Sequence, residues 1–320
     1  MHSPRIHGPV GRYFAVPFLA LGLSLAACDD STPVDTDPDV GPTIAELVAA
    51  DAGFSTLLAA LQAADLAGAL GDPNATFTVF APGNAAFNAL DLDVLLADGP
   101  ALESVLLYHV VAGAAVTASE LEDGQTIATL DGAELTVRID GGDVFIDGAQ
   151  VITADVEAEN GIIHVIDRTL TGSRNLAGVV TIVDETSSLL DAVVAAGLVD
   201  AFVGADAWTV FAPDNAAFAA IADVAAGLTV EELQQVLQYH VFAGGAVNSA
   251  TLLGLLAEGN GEVVLPTAQG EDVTITLVNA QTIEFNGGQA TLDLANLDFF
   301  ASNGILHLID GVLLPPSFGS

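Results

Sequence analysis

The sequence has no lysine, five arginines and one cysteine against 42 acidic residues, and only 6% of it is aromatic. A formal net charge of −37 cannot neutralise the phosphates along a duplex, which excludes nucleic acid as a partner. Without lysine there is no Schiff base and no phosphate-loop lysine, and no Gly-x-Ser-x-Gly elbow is present. A lone cysteine, Cys28, allows neither an internal disulfide nor a cysteine-based zinc site. Neither His-x-His nor His-Glu-x-x-His occurs, so no catalytic site, metal site or cofactor is predicted. What the chain does have is 52% hydrophobic residues over 320 positions. That is too apolar for disorder, and Asp and Gly interrupt it too evenly for a polytopic membrane protein. At about 150 residues per domain, the length suggests two domains.

Residues 1–27 carry Arg5 and Arg12, no acidic residue, and an apolar stretch from Phe14 to Ala27, which reads as a secretory signal peptide. The signal ends Leu25-Ala26-Ala27-Cys28 and resembles a bacterial lipobox, so Cys28 is predicted to carry a lipid that ties the chain to a membrane. Residues 28–42, with five Asp and three Pro, read as an extended tether. Asp35, Asp37, Asp39 and Glu46 fall at the spacing of a calcium loop, but Val40 stands where the loop needs glycine, and prolines interrupt it. The tether is the reading adopted.

Beyond the tether the chain repeats itself. Phe77-Thr-Val-Phe-Ala-Pro-Gly-Asn-Ala-Ala-Phe87 returns 131 positions later as Trp208-Thr-Val-Phe-Ala-Pro-Asp-Asn-Ala-Ala-Phe218, and Tyr108-His109-Val110 returns as Tyr239-His240-Val241. Asn160-Gly-Ile-Ile-His-Val-Ile-Asp167 returns 143 positions later as Asn303-Gly-Ile-Leu-His-Leu-Ile-Asp310, so the second copy holds about 12 extra residues before this block. A period this long means tandem globular domains; solenoid repeats are shorter, typically 20–50 residues. The connection near Thr171–Gly178 is short and is expected to hold the domains close together.

Within each copy, helical spacing (Ile44–Leu70; Ile182–Phe202) precedes a short buried strand (Phe77–Phe80; Trp208–Phe211), which the Ala-Pro is expected to end. Asn84, and Asp214 with Asn215, are expected to cap a following helix. A second helix carries Leu102, Val105, Leu106 and His109 on one stripe, matched by Leu233, Val236, Leu237 and His240. Alternating runs then follow at 126–130, 134–139 and 144–146, and at 263–265, 273–278, 282–285 and 290–294, joined in the first copy by Asp-Gly and Gly-Gly turns. Helices followed by antiparallel hairpins indicate α+β domains.

These three blocks, in this order in each copy, resemble the fasciclin domain. The resemblance covers about residues 43–172 and 178–316, and implies two tandem α+β domains, each a wedge-like β-sheet assembly with several packed helices. It further implies a secreted or surface-anchored protein of cell adhesion or matrix association, with no catalysis. Some animal members are thought to contact partners through Tyr-His, which would make Tyr108, His109, Tyr239 and His240 contact residues here. The residues themselves also support a structural role, in which His109, His240, His164 and His307 are buried and hydrogen-bond backbone groups. The expected function is therefore a non-catalytic, lipid-anchored envelope protein that binds a cell-surface or matrix protein or a glycan. The alternative is a periplasmic small-molecule or lipid carrier with a pocket between helices and sheet. The scattered acidic residues read as a solubilising surface, with Ca²⁺-bridged adhesion as the other reading.

Overall fold

The computed structural model describes residues 41–204, 207–279, 282–294 and 297–318. The predicted signal peptide, Cys28 and all but the last two residues of the predicted tether lie outside these described residues. In the first repeat, α1 (Ile44–Ala50), α2 (Ser55–Ala63) and α3 (Ala67–Leu70) precede β1 (Phe77–Pro82). Then come α4 (Leu92–Ala97), α5 (Gly99–Tyr108), β2 (Val110–Ala112), β3 (Thr126–Ala128), β4 (Glu134–Asp140), β5 (Asp143–Ile146), β6 (Ala149–Ala158) and β7 (Gly161–Ile166). The second repeat has the same plan. It contains α6 (Leu176–Ile182), α7 (Ser187–Ala195), α8 (Val199–Val203), β8 (Trp208–Pro213), α9 (Asn215–Ala220), α10 (Ala222–Ala225), α11 (Val230–Tyr239) and β9 (Val241–Phe242). After α12 (Ser249–Glu258) come β10 (Glu262–Pro266), β11 (Asp272–Asn279), β12 (Thr282–Phe285), β13 (Ala290–Thr291), β14 (Phe299–Ala301) and β15 (Gly304–Ile309). Among the described residues no single helix is long and apolar enough to cross a membrane.

The strands of the first domain form one sheet in the order β2-β1-β7-β6-β5-β4-β3. In the second domain the corresponding strands form two four-stranded sheets, β14-β15-β8-β9 and β10-β11-β12-β13. The two repeated motif strands are parallel partners. Phe77 to Pro82 align with Gly161 to Ile166, and Trp208 to Pro213 align with Gly304 to Ile309. The hairpin signals concealed this pairing, because its partners stand far apart in sequence.

The strand does not stop short of Ala-Pro but takes it in and ends on the proline, as expected of that residue, β1 at Pro82 and β8 at Pro213. β2 pairs only with Phe77–Val79, so Pro82 lies beyond the ladder that would have needed its N–H. Nor does Asn84 cap the helical turn that follows it. Its Oδ1 accepts from Thr56 N (3.0 Å) and its Nδ2 donates to Ala52 O (2.9 Å), so it organises the start of α2. Asn215 does the same through Ser188 N and Asp184 O, while Asp214 does cap its own helix, accepting from Ala217 N. The extra residues of the second copy are α12. Its N-cap, Asn248, stands at the position where Thr117 caps only a single 3-10 turn, Ala118–Glu120, in the first domain.

Within the compact unit Val40–Ser320 the domains are joined along a seam. Leu90 pairs with Val183 in an antiparallel bridge, flanked by Asp91 N to Ile182 O (2.7 Å) and Asp184 N to Ala89 O (3.1 Å). Leu90, Leu95, Leu176, Ile182, Val183 and Leu306 belong to one buried apolar cluster that crosses the seam. The linker adds Arg168, whose guanidinium donates to Leu297 O, and Thr171, whose Oγ1 donates to Phe300 O at 2.8 Å. The linker also contains helix: Asn175 caps α6 by accepting from Gly178 N, so α6 starts before the Ile182 at which periodicity became visible.

Candidate functional site

The Tyr-His pairs close the helices α5 and α11, with His109 and His240 as C-caps. Tyr108, His109, Tyr239 and His240 are all at most 3% exposed. Each of these imidazoles bridges two backbone segments. His109 Nδ1 donates to Val105 O (2.7 Å) while its Nε2 accepts from Leu170 N (2.9 Å). His240 repeats this with Val236 O (2.7 Å) and Leu313 N (2.8 Å). Each ring thus ties the end of a helix to the segment that follows the last motif strand. Burial pushes both imidazoles down to about 4, so they are neutral at pH 7.

His164 and His307 lie in the paired strands with side chains fully buried. Their Nε2 atoms donate to Val116 O (2.9 Å) and Val247 O (2.8 Å), and their Nδ1 atoms accept from Asp155 N (3.3 Å) and Asp298 N (3.2 Å). Each stacks on the phenylalanine of the parallel partner strand, Phe80 and Phe211, at centroid distances of 5.5 and 6.0 Å.

The two tyrosines differ in a way the motifs do not reveal. Tyr108 Oη donates to Asp147 Oδ2 (2.5 Å), whose other oxygen accepts from Thr136 N (2.8 Å). Tyr239 Oη donates to Asp272 O (2.8 Å) and accepts from Asn286 Nδ2 (2.9 Å). Asp147 and Asn286 occupy matching turns with positive φ, 43° and 48°, each followed by glycine. Burial pushes Asp147 up to about 6 against these hydrogen bonds, and burial together with the Asp147 charge pushes Tyr108 up. The Asp-Gly and Asn-Gly dipeptides were the available sequence signal for this pair of positions.

Asp147 also faces the seam. A cavity of about 350 Å³ lies between the domains, lined on one side by Arg138 and Asp147 and on the other by Ser249, Asp298, Phe300 and Asn303. Asp298 accepts from Ser249 N (2.7 Å) and from the Ser249 hydroxyl. Its counterpart Asp155 accepts from Ala118 N (2.7 Å) in the first domain. Asp298 is 8% exposed, whereas the Asp155 side chain is 45% exposed, because only Asp298 sits against the other domain. All three arginines among the described residues border this seam. Arg138 pairs with Asp140 (2.9 Å) and lies 4.1 Å over the Phe145 ring; Arg174 donates from Nε to Gly178 O (3.1 Å).

A second cavity, about 580 Å³, is an open groove in the first domain, between the end of α1 and strands β6 and β7. Leu47, Phe54, Val156, Ile163 and Val165 make it apolar, with Asp51 at its edge. Of the residues once aligned with a calcium loop, Asp35, Asp37 and Asp39 lie outside the described residues. Glu46 closes the capping box of α1, accepting from Thr43 N (2.9 Å).

A fasciclin-domain family model matches residues 52–172 and again 184–315. Over 137 residues the chain is 44% identical to protein sll1483 of Synechocystis, a stretch covering 41% of this chain and 74% of that protein. It is 29% identical over 252 residues to transforming growth factor-beta-induced protein ig-h3 of Sus scrofa, covering 76% of this chain but only 35% of that protein. Immunogenic protein MPB70 of Mycobacterium bovis is 31% identical over 184 residues, 49% of this chain and 94% of that protein. Among solved structures, a FAS1 domain pair from the insect cell adhesion molecule Fasciclin I covers 84% of this chain and 95% of its own, at 20% identity and a TM-score of 0.41.

Proposed function

This chain belongs to the fasciclin family, and on that premise we propose that it is a non-catalytic protein of the cell envelope that mediates adhesion or association with matrix or neighbouring proteins. In this reading residues 1–27 are removed, a lipid on Cys28 anchors the chain, and residues 28–42 hold domains 43–172 and 178–316 off the membrane. The observation that carries it is the pairing of two family domains whose four motif histidines are spent on backbone groups, leaving the outer surface as the working part. Tyr108, His109, Tyr239 and His240 then serve a partner by holding the shape of the surface around them. With Arg5 and Arg12 removed, three arginines remain against 42 acidic residues, and a net charge of 3 − 42 = −39 directs that surface toward partners read by shape, hydrogen bonds or local cations.

The test is binding of the purified protein to intact cells and to a panel of matrix proteins and glycans, with and without Ca²⁺, at two salt concentrations. Saturable binding that persists in folded His109→Ala and His240→Ala variants is the expected result. Binding that disappears only on Ca²⁺ removal would identify cation bridging. No binding to any surface, with a small molecule retained in native mass spectrometry, would replace this reading with that of a carrier.

A further inference from the structure

The seam between the domains shows how one face of a fasciclin domain is covered, and the first domain carries a second copy of that face that none of the described residues covers. Ala50, Asp51 and Ala52 correspond to Ile182, Val183 and Asp184, as α1 corresponds to α6. The correspondence is fixed by a shared contact: Ser55 Oγ meets Asn84 Oδ1 (3.3 Å) just as Ser187 Oγ meets Asn215 Oδ1 (3.0 Å). In the second domain Ile182 and Val183 are 1% and 2% exposed beneath the extended segment Ala89-Leu90-Asp91. In the first domain Ala50, Asp51 and Ala52 are exposed and line the 580 Å³ groove. The residues around this groove are smaller than their counterparts at the seam: Ala50 for Ile182, Val156 for Phe299 and Val165 for Leu308.

We propose that this face of the first domain docks an extended segment of another protein, in the manner of Ala89–Asp91 on the second domain, with a basic residue set opposite Asp51 and aliphatic side chains entering the groove. The proposal deepens the association reading and rests on it. Asp51 stands where Val183 faces Leu90; its Oδ1 accepts from Gly53 N (2.8 Å) and caps the turn Ala52–Phe54, and an opposite charge on the incoming strand is the pairing that stabilises such a cross-strand position. The aliphatic neighbours follow from Leu47, Phe54, Val156 and Val165. A second copy of this chain is a poor occupant. It has no lysine, and its three described arginines are held at the seam. Its own end face offers Ile221, Ala222 and Asp223 where the seam uses Leu90, Asp91 and Leu92.

The test uses the whole protein and two blocked peptides: residues 86–97 as they stand, and the same peptide with Leu90→Lys. Chemical-shift titration should show the Leu90→Lys peptide perturbing Ala50–Phe54 and binding about fivefold more tightly than the parent. Asp51→Val, which installs the residue already tolerated at position 183, should reverse that preference. The proposal is overturned if neither peptide perturbs Ala50–Phe54, or if the preference ignores Asp51→Val. It is equally overturned if the face proves to be closed by self-association in sedimentation, or by a bound lipid. These results are independent of whether the protein adheres to cells, so failure here leaves the adhesion assay standing, and failure there leaves the groove testable.

Discussion

Tyr108 donates its phenolic proton to the buried carboxylate of Asp147, 2.5 Å away, where the second domain sets Tyr239 against the neutral amide of Asn286. The two turns match in backbone conformation, so the comparison isolates the charge. In the first domain a carboxylate is kept at 7% exposure with no cation bonded to it.

Asp147→Asn should therefore stabilise the first domain at neutral pH. With its pKa pushed from 3.8 up to about 6 by burial, Asp147 binds a proton more tightly folded than unfolded, so its contribution worsens as pH rises through that window. Once the pH exceeds 6, a shift of this size costs about 3 kcal/mol. Part of this is recovered in the variant, because Tyr108 can donate to Glu134 O (3.0 Å) as Tyr239 does to Asp272 O. Denaturant unfolding should show a gain of about 1–2 kcal/mol at pH 7.5 that disappears by pH 4. A gain that does not change with pH would mean that charge is not its source.

The histidines impose the opposite trend. His109 and His240 are pushed from 6.5 down to about 4, so between these values the unfolded chain takes up protons that the folded chain refuses. Stability should fall as pH drops below 6.5, by about 1.4 kcal/mol per pH unit for each ring, and level off below 4. Burial pushes His307 down as well, so His109→Gln should remove one ring's share, about 1.4 kcal/mol per pH unit, and leave the rest. An unchanged slope in that variant would assign acid sensitivity elsewhere.

The sequence shows the repeat, the α+β class and the positions of the histidines because these depend on spacing alone. Leu102, Val105, Leu106 and His109 do share a buried stripe. The partners of those rings were not readable, since Leu170 and Leu313 contribute only backbone N–H groups. The same holds for the parallel pairing of β1 with β7, which joins residues that no turn connects. The groove escaped for another reason. Ala50 and Val165 look like ordinary apolar positions until they are compared with Ile182 and Leu308 in a fold.

Asn160-Gly161 and Asn303-Gly304 reveal why that dipeptide recurs. Asn160 accepts from Ile44 N (2.8 Å) and donates to Leu70 O (2.8 Å), and Asn303 does likewise with Leu176 N (2.7 Å) and Phe202 O (2.8 Å). The glycine must follow because a β-carbon on Gly161, at φ 149°, would sit 1.9 Å from Phe77 O, and one on Gly304 2.3 Å from Trp208 O. Gly161→Ala should cost at least about 3 kcal/mol, far above the usual cost of losing a glycine. Thermal unfolding checks it, and a loss under about 1 kcal/mol would show that β1 and β7 can part locally.

Leu90 tests whether the two domains unfold as one. It is 5% exposed and pairs with Val183 inside a cluster that also holds Leu95 and Leu176. Because that cluster is continuous across the seam, calorimetry of the unaltered protein should give a single transition. Leu90→Ala removes the side chain that fills the joint and should cost about 2–4 kcal/mol. The loss falls on the coupling between domains, leaving Phe80 and Phe211 packed in their separate clusters. The transition should therefore divide into two, the histidine-dependent acid slope persisting in each. A single transition merely shifted to lower temperature would mean that the linker contacts from Arg168 and Thr171 suffice to couple the domains.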